Sequence, residues 1–314
     1  MREASSSSCG RRWLATAITD EAQRALVPDS GDEIDVQLAG LDHLDVDLPP
    51  APSRLRRIWS AAWPKLAAAA IGLGIWQLVV WSGWKPQYLL PGPGRVLGQL
   101  WHNLLFGDLG TAIATTMRRA ATGYAVAVVL GTLLGLVVAQ NRIVRSAIGS
   151  LITGFQTMPS VAWVPLAIVL FQLSEKAIFF VLLIGAVPSI ANGVISGIDN
   201  TPPLLLSAGQ VLGARGVARY RHVVLPAAFP GFVAGLKQGW AFMWRSLLAG
   251  ELIVIIAHRQ SLGQTLQQTA NNLDYTSLMA TMVAILLIGL LVDSLVFGRL
   301  ERTVLRRRGL ARLR

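Results

Sequence analysis

Charge is scarce in this chain of 314 residues. Only 14% are Asp, Glu, Lys or Arg, against 53% hydrophobic and a mean hydropathy of +0.51, where a soluble domain carries about 25% charged residues. The deficit excludes an ordinary water-soluble domain and points to an integral membrane protein. Cysteine is nearly missing too. Its one copy, Cys9, stands in a polar N-terminal stretch, which rules out a disulfide framework or a Cys-based metal site within one chain. His43, His102, His222 and His258 are dispersed; with neither His-Glu-x-x-His nor Gly-x-Ser-x-Gly present, no catalytic or metal-binding set assembles. A Gly-x-x-x-x-Gly-Lys-Ser/Thr phosphate loop is also absent, so the chain is expected not to hydrolyse ATP itself and to need no cofactor of its own.

Acids are the scarcer sign, 17 against 28 Lys and Arg, for a formal charge of +11. The excess does not read as a nucleic-acid footprint, because the Arg residues fall in short clusters beside apolar runs and build no basic face. It fits orientation of membrane spans by the positive-inside rule.

From Met1 to about Arg57 the chain has a Ser run at Ser5 to Ser8, scattered acids from Asp20 to Asp47 and Pro49-Pro50-Ala51-Pro52. That composition buries too little apolar surface to offset ordering entropy, so residues 1–57 are expected to be a disordered cytoplasmic tail without a signal peptide. An apolar membrane region is expected over 58–305, and a short basic cytoplasmic tail over 306–314. Apolar blocks run from about Leu66 to Trp81, Ala120 to Ala139, Ala147 to Phe171, Ala177 to Ile198, Phe229 to Ala257 and Leu278 to Phe297. A crossing helix needs roughly 17 to 25 residues, so these predict an all-α membrane protein of about six transmembrane helices. Arg54, Arg56, Arg57 and Lys65; Arg142 and Arg145; Arg215, Arg219 and Arg221; and Arg299 to Arg308 all fall on one side if the N-terminus is inside. Both termini are therefore expected in the cytoplasm. Arg118 and Arg119 are the exception, expected to snorkel to the headgroups at the outer end of the second span.

Two features go beyond a simple anchor. Pro159 and Pro165 in the third block and Pro188 in the fourth remove backbone donors and kink helices, either as tolerated bends or as part of a path or hinge. Lys237, Arg245 and Glu251 lie in the fifth block, where a charge costs at least about 2.5 kcal/mol unless it meets water or a partner. Each is expected to look to a neighbouring helix or a cavity; Arg245 and Glu251 could communicate only through extended side chains or water. Facing a pore, Lys237 and Arg245 would favour an anion.

Between the fourth and fifth blocks lies a polar interruption. Asn200 or Thr201 is placed to cap a helix starting near Pro202 or Pro203; Leu204 to Leu212 is too short to span; Gly213 suits a left-handed stop. A second helix from about Val217 carries Arg219, Arg221 and His222, and Pro226 is expected to close it. Such an elbow, 201–226, offers apolar knobs and a basic rim to a partner protein, or else lies on the membrane surface.

Gln210-Val211-Leu212-Gly213-Ala214, followed by Val223-Val224-Leu225-Pro226-Ala227-Ala228-Phe229-Pro230, resembles the cytoplasmic "EAA" coupling loop of ABC importer permeases. Met158-Pro159-Ser160-Val161-Ala162-Trp163-Val164-Pro165-Leu166-Ala167 and Gly250-Glu251-Leu252-Ile253 are similar to the nitrate, sulfonate and taurine branch of that family. The resemblance runs from about Leu89 to Arg308 and departs at Ser207, where the family usually has Glu, and at Gly209, where it has Ala. It implies a type I importer permease fold, with Ser207, Ala208, Gly209, Leu212, Gly213, Arg219, Leu225 and Pro226 in the coupling elbow. It also implies a second, usually identical, permease chain, a separate ABC ATPase under each elbow, and an extracytoplasmic solute-binding protein, in a bacterial inner membrane. Pro159, Pro165, Lys237, Arg245 and Glu251 are the pore or gating candidates. An ion-coupled secondary transporter or channel is the alternative, followed by a membrane-embedded enzyme.

Overall fold

The computed structural model describes residues 54–256 and 259–307; the expected tails, apart from Arg54 to Arg57 and the basic pair at 306 and 307, lie outside the described residues. Within them all regular structure is helical. The helices are α1 (Arg54–Trp81), α2 (Pro93–Leu105), α3 (Leu109–Gln140), α4 (Arg142–Thr157), α5 (Val164–Phe171), α6 (Glu175–Asp199), α7 (Pro203–Val211), α8 (Gly216–Arg219), α9 (Leu225–Ile253), α10 (Leu262–Asn271), α11 (Tyr275–Val292) and α12 (Gly298–Arg307). Wide π turns, Tyr220–Val224 and Asp293–Phe297, join α8 to α9 and α11 to α12.

Contacts divide the chain inside α1, between Ala69 and Ala70. The described part of the first unit is one helical segment with Trp59, Trp63 and Leu66 exposed. The second unit holds the remaining helices and is built around α6. Helix α6 is 25 residues long, and it is the most buried of the apolar helices. Small residues let its neighbours approach. Gly123, Gly131 and Gly135 of α3 face Leu182, Ile190 and Val194 of α6, so the two run parallel. On the other side Gly185 meets Ser246, Gly193 meets Gly235 and Gly197 meets Gly231, so α9 runs antiparallel. A Cβ on Gly193 would stand 2.3 Å from the Gly235 Cα. This is a small-x-x-x-small crossing, in which backbone contact replaces the hydrophobic drive that lipid does not supply. Tyr124 of α3 closes the triangle. Its ring stands edge-on to Trp240, 5.4 Å between centroids, and its hydroxyl donates to the Leu236 carbonyl at 2.6 Å.

Among the described residues four helices are long and apolar enough to cross a membrane: Ala62–Trp81, Leu109–Gln140, Glu175–Asp199 and Tyr275–Val304. The third expected span is different. Instead of a kinked helix from Ala147 to Phe171, α4 and α5 form a broken pair bent by 104°. The reason is local: Met158 and Pro159 are extended, at ψ 134° and 130°, as the residue before a proline prefers, and Ser160–Trp163 is a separate 3-10 turn. The fifth expected span is α9, 29 residues long but less apolar than the four, since it carries Lys237, Arg245 and Glu251; it ends at Ile253, short of Ala257. Helices α2 and α10 and the early start of α3 at Leu109 were not expected from the apolar blocks, because all three are amphipathic or polar at their ends.

Candidate functional site

The elbow is formed by α7, a Gly turn, α8 and the π turn. Helix α7 starts at Pro203 with Pro202 at its cap position and no side-chain cap. The expected cap residues instead bond backwards onto α6: Thr201 Oγ1 donates to the Gly197 carbonyl at 3.4 Å and Asn200 Nδ2 to Ser196 Oγ at 3.1 Å. Proline needs no capped N–H, which leaves those side chains free for α6. The helix ends in a Schellman closure. Gly213, at φ +83°, donates to the Gln210 carbonyl at 3.0 Å, and Ala214 to the Gly209 carbonyl at 2.9 Å. Gly209 is buried, and a Cβ there would come within 2.8 Å of Val223 Cγ2. A side chain at this position would require Val223 to shift.

Beyond the turn the expectation fails in one respect. Pro226 does not close the second helix; helical backbone continues from Gly216 through the π turn into α9. In the π turn Leu225 N–H bonds the Tyr220 carbonyl. The wider turn moves carbonyls away from the Pro226 ring, so the proline enters the first turn of α9 without ending it. The elbow's outward face is apolar: Val211, Leu212 and Val217 are 88%, 86% and 83% exposed, and Leu204 and Leu225 are also exposed. Ser207 and Ala208 lie on the same exposed surface, and Arg219 is half-buried beside it. At its base Arg145 of α4 forms an ion pair with Asp199 of α6.

At the opposite ends of α6 and α9 lies a buried polar centre. Arg119 of α3 is 5% exposed and Glu251 of α9 is fully buried. Arg119 Nη1 donates to Glu251 Oε1 at 2.8 Å, while its Nε and Nη2 form a fork on Glu175 at 2.9 and 2.6 Å. Thr116 Oγ1 donates to Glu251 Oε2 at 2.8 Å and accepts from Leu262 N at 3.0 Å, and Gly263 N reaches the same carboxylate oxygen at 3.3 Å. Six charge-assisted or hydroxyl bonds therefore tie α3, α6, α9 and α10 together. The expected snorkelling of Arg119 is overturned: two acids on neighbouring helices hold the guanidinium inside. Arg118, one residue earlier, is exposed. Nor does Arg245 communicate with Glu251, whose carboxylate is already taken. The missed signal was pairing across blocks, an intramembrane acid and base with no nearer partners.

The other path candidates separate. Lys237 is 3.4 Å from Glu301 and 3.9 Å from Asp293. Arg245 pairs with no carboxylate among the described residues; its Nε donates to the Ala241 carbonyl at 3.2 Å and its guanidinium lies 4.6 Å from the Phe242 ring centre. Pro159 precedes the 3-10 turn and Pro165 sits in the first turn of α5, so both stand at the break.

Comparison with known proteins agrees with this geometry. Residues 127–307 match the family described as binding-protein-dependent transport system inner membrane component. A probable ABC transporter permease of Brucella melitensis biotype 1 is 31% identical over 74% of this chain and 92% of its own length. The nitrate import permease protein NrtB of Synechocystis is 26% identical over 73% and 84%. A putative aliphatic sulfonates transport permease protein, SsuC of Escherichia coli, is 26% identical over 58% and 69%. The fold resembles a chain of the MetNI methionine ABC transporter in an inward-facing conformation, with a TM-score of 0.54 at 20% identity over 64% of this chain and 97% of that one. This chain belongs to the binding-protein-dependent inner membrane component family: it is a type I ABC importer permease, a transport component whose ATP hydrolysis is carried by a separate ATPase.

Proposed function

We propose that this chain conducts a small anion, such as an aliphatic sulfonate, taurine or nitrate, across a bacterial inner membrane. In this reading residues 58–305 form the permease domain, two identical chains pair, and both termini and the elbow face the cytoplasm. An ABC ATPase docks under each elbow, and a solute-binding protein delivers from the opposite face. The elbow carries the proposal. Its apolar tip, Val211, Leu212 and Val217, is exposed on a segment too short to span, and the Schellman closure at Gly213 holds it as a rigid projection. Exposed apolar groups on such a projection suit a groove on a partner. The anion reading is supported by the nitrate and sulfonate names of relatives and by Arg245, whose charge no acid among the described residues neutralises. Lys237 shares its charge with Asp293 and Glu301, so it contributes less. Membership of the permease family sets aside the secondary-transporter and channel alternatives.

The elbow assignment is tested by replacing Gly213 with Val, which the left-handed backbone resists by about 1–2 kcal/mol. Co-purification with the ATPase and transport-coupled ATP hydrolysis are expected to fall at least severalfold. Unchanged values for both would remove the elbow from the coupling path.

A further inference from the structure

Where α4 and α5 break, a cavity of about 350 Å³ opens against α6 and α9. Among the described residues five buried side-chain polar atoms have no hydrogen-bond partner, and three of them, Gln156 Nε2, Trp163 Nε1 and Ser246 Oγ, belong to residues lining this cavity. Ser246 is completely buried. Native interiors satisfy nearly all such groups, so three gathered around one space need a common explanation. Packing gives none. Gly185 leaves the Ser246 hydroxyl its place: a Cβ there would stand 2.0 Å from Oγ.

The unpartnered atoms and the one charge of the wall favour donation, although the Gln156 amide oxygen and the lining hydroxyls can also accept. An indole N–H and an amide NH₂ can only donate, a hydroxyl can donate, and the Arg245 guanidinium adds a fork of donors. Among the described residues no Asp or Glu lines the cavity, so a cation would find no counter-charge there. An exposed guanidinium on a helix at membrane depth turns to water, an anion or backbone carbonyls; Arg245 uses one carbonyl, through Nε, and has no acid partner among the described residues, which leaves its Nη groups for an anion. The ligand that complements this wall is an anion with several acceptor oxygens around one centre. Depth agrees as well. At about 1.5 Å per residue α4 reaches the break about 24 Å from its start at Arg142, and α9 brings Arg245 about 30 Å from its start at Leu225, comparable rises along the two helices. Broken helices within a bundle are where transporters hold substrate.

We propose that Gln156, Trp163, Arg245 and Ser246 form a binding site for a small oxyanion of the nitrate or sulfonate class, a stop on the solute's path that selects for oxygen-rich anions over halides. It rests on the anion reading above and assigns the residues that recognise the ion.

The test uses the full chain in lipid nanodiscs, titrated calorimetrically with nitrate, methanesulfonate and chloride. In parallel, uptake is measured in proteoliposomes holding the permease with its ATPase and binding protein. The unmodified chain is expected to bind nitrate or methanesulfonate saturably and more tightly than chloride. Arg245→Gln should weaken that binding tenfold or more and Ser246→Ala severalfold; Arg245→Lys should retain part of it, and Arg118→Gln all of it. If Arg245→Gln fails to give monodisperse protein, Ser246→Ala and Gln156→Leu decide the same question. Full binding in these variants while oxyanion uptake continues overturns the site and leaves the anion reading standing. Uptake of a neutral or cationic solute with no oxyanion binding overturns both.

Discussion

Arg119 and Glu251 illustrate how single residues bear on this fold. Glu251 is visible in the sequence as an acid inside an apolar block, and its cost implies a partner on another helix. The partner is Arg119, 132 residues away, at 2.8 Å. Removing one member of a buried pair leaves the other uncompensated, at about 3–5 kcal/mol. Glu251→Ala is therefore expected to lower the melting temperature of the detergent-purified chain markedly. Arg119→Met with Glu251→Leu should recover much of the loss, since both charges then disappear. A melting curve for Glu251→Ala matching the unmodified protein would show the pair to be dispensable. The same scale shows where residue-level reading succeeds and fails at the elbow. Gly213 was legible because a left-handed stop has a residue signature, and its φ is +83°. Gly209 was legible only as a departure from a pattern; that Val223 occupies the place of its Cβ is visible only once the chain returns.

Among elements, the central trio α3, α6 and α9 depends on backbone approach. Gly193→Leu is expected to push α6 from α9, because even a Cβ would stand 2.3 Å from the Gly235 Cα. The expected result is loss of monodisperse protein on gel filtration, at a cost in the range of about 1–3 kcal/mol or more for overpacking. Gly154→Ala on α4, with open space around it, is the contrast: helix propensity makes it neutral or stabilising by up to about 1 kcal/mol. Equal behaviour of the two variants would exclude close glycine packing as the organiser. Hydropathy revealed most of these helices, since length and apolar composition suffice for a span. It did not reveal the break between α4 and α5. The same Pro159 that would kink a continuous helix also permits an extended link at Met158 and Pro159, and apolar composition does not distinguish the two.

For the whole molecule, the arrangement of ends makes a topology prediction. Val217 of the elbow and Gln260, in the link between α9 and α10, lie at opposite ends of α9. With the natural Cys9 replaced by Ser, a cysteine at Val217 should react with a membrane-impermeant maleimide only in inverted vesicles, and one at Gln260 only from outside intact spheroplasts. Labelling of both from one side would contradict a crossing by α9 and the inward elbow.

The sequence by itself determined that this protein lives in a membrane as helices and carries a short projecting elbow, because those properties follow from local composition, turn chemistry and charge placement along the chain. Membership in the permease family was also legible there, through the elbow's Gly and Leu-Pro spacing. Only the tertiary structure decided which charges are neutralised and which stay available. It pairs Arg119 with two acids and Lys237 with two others, and it leaves Arg245 beside three unsatisfied donors at a broken helix. Those partners come from helices far apart in the chain. Electrostatic pairing acts through space at a few ångströms, and sequence order carries no measure of that distance.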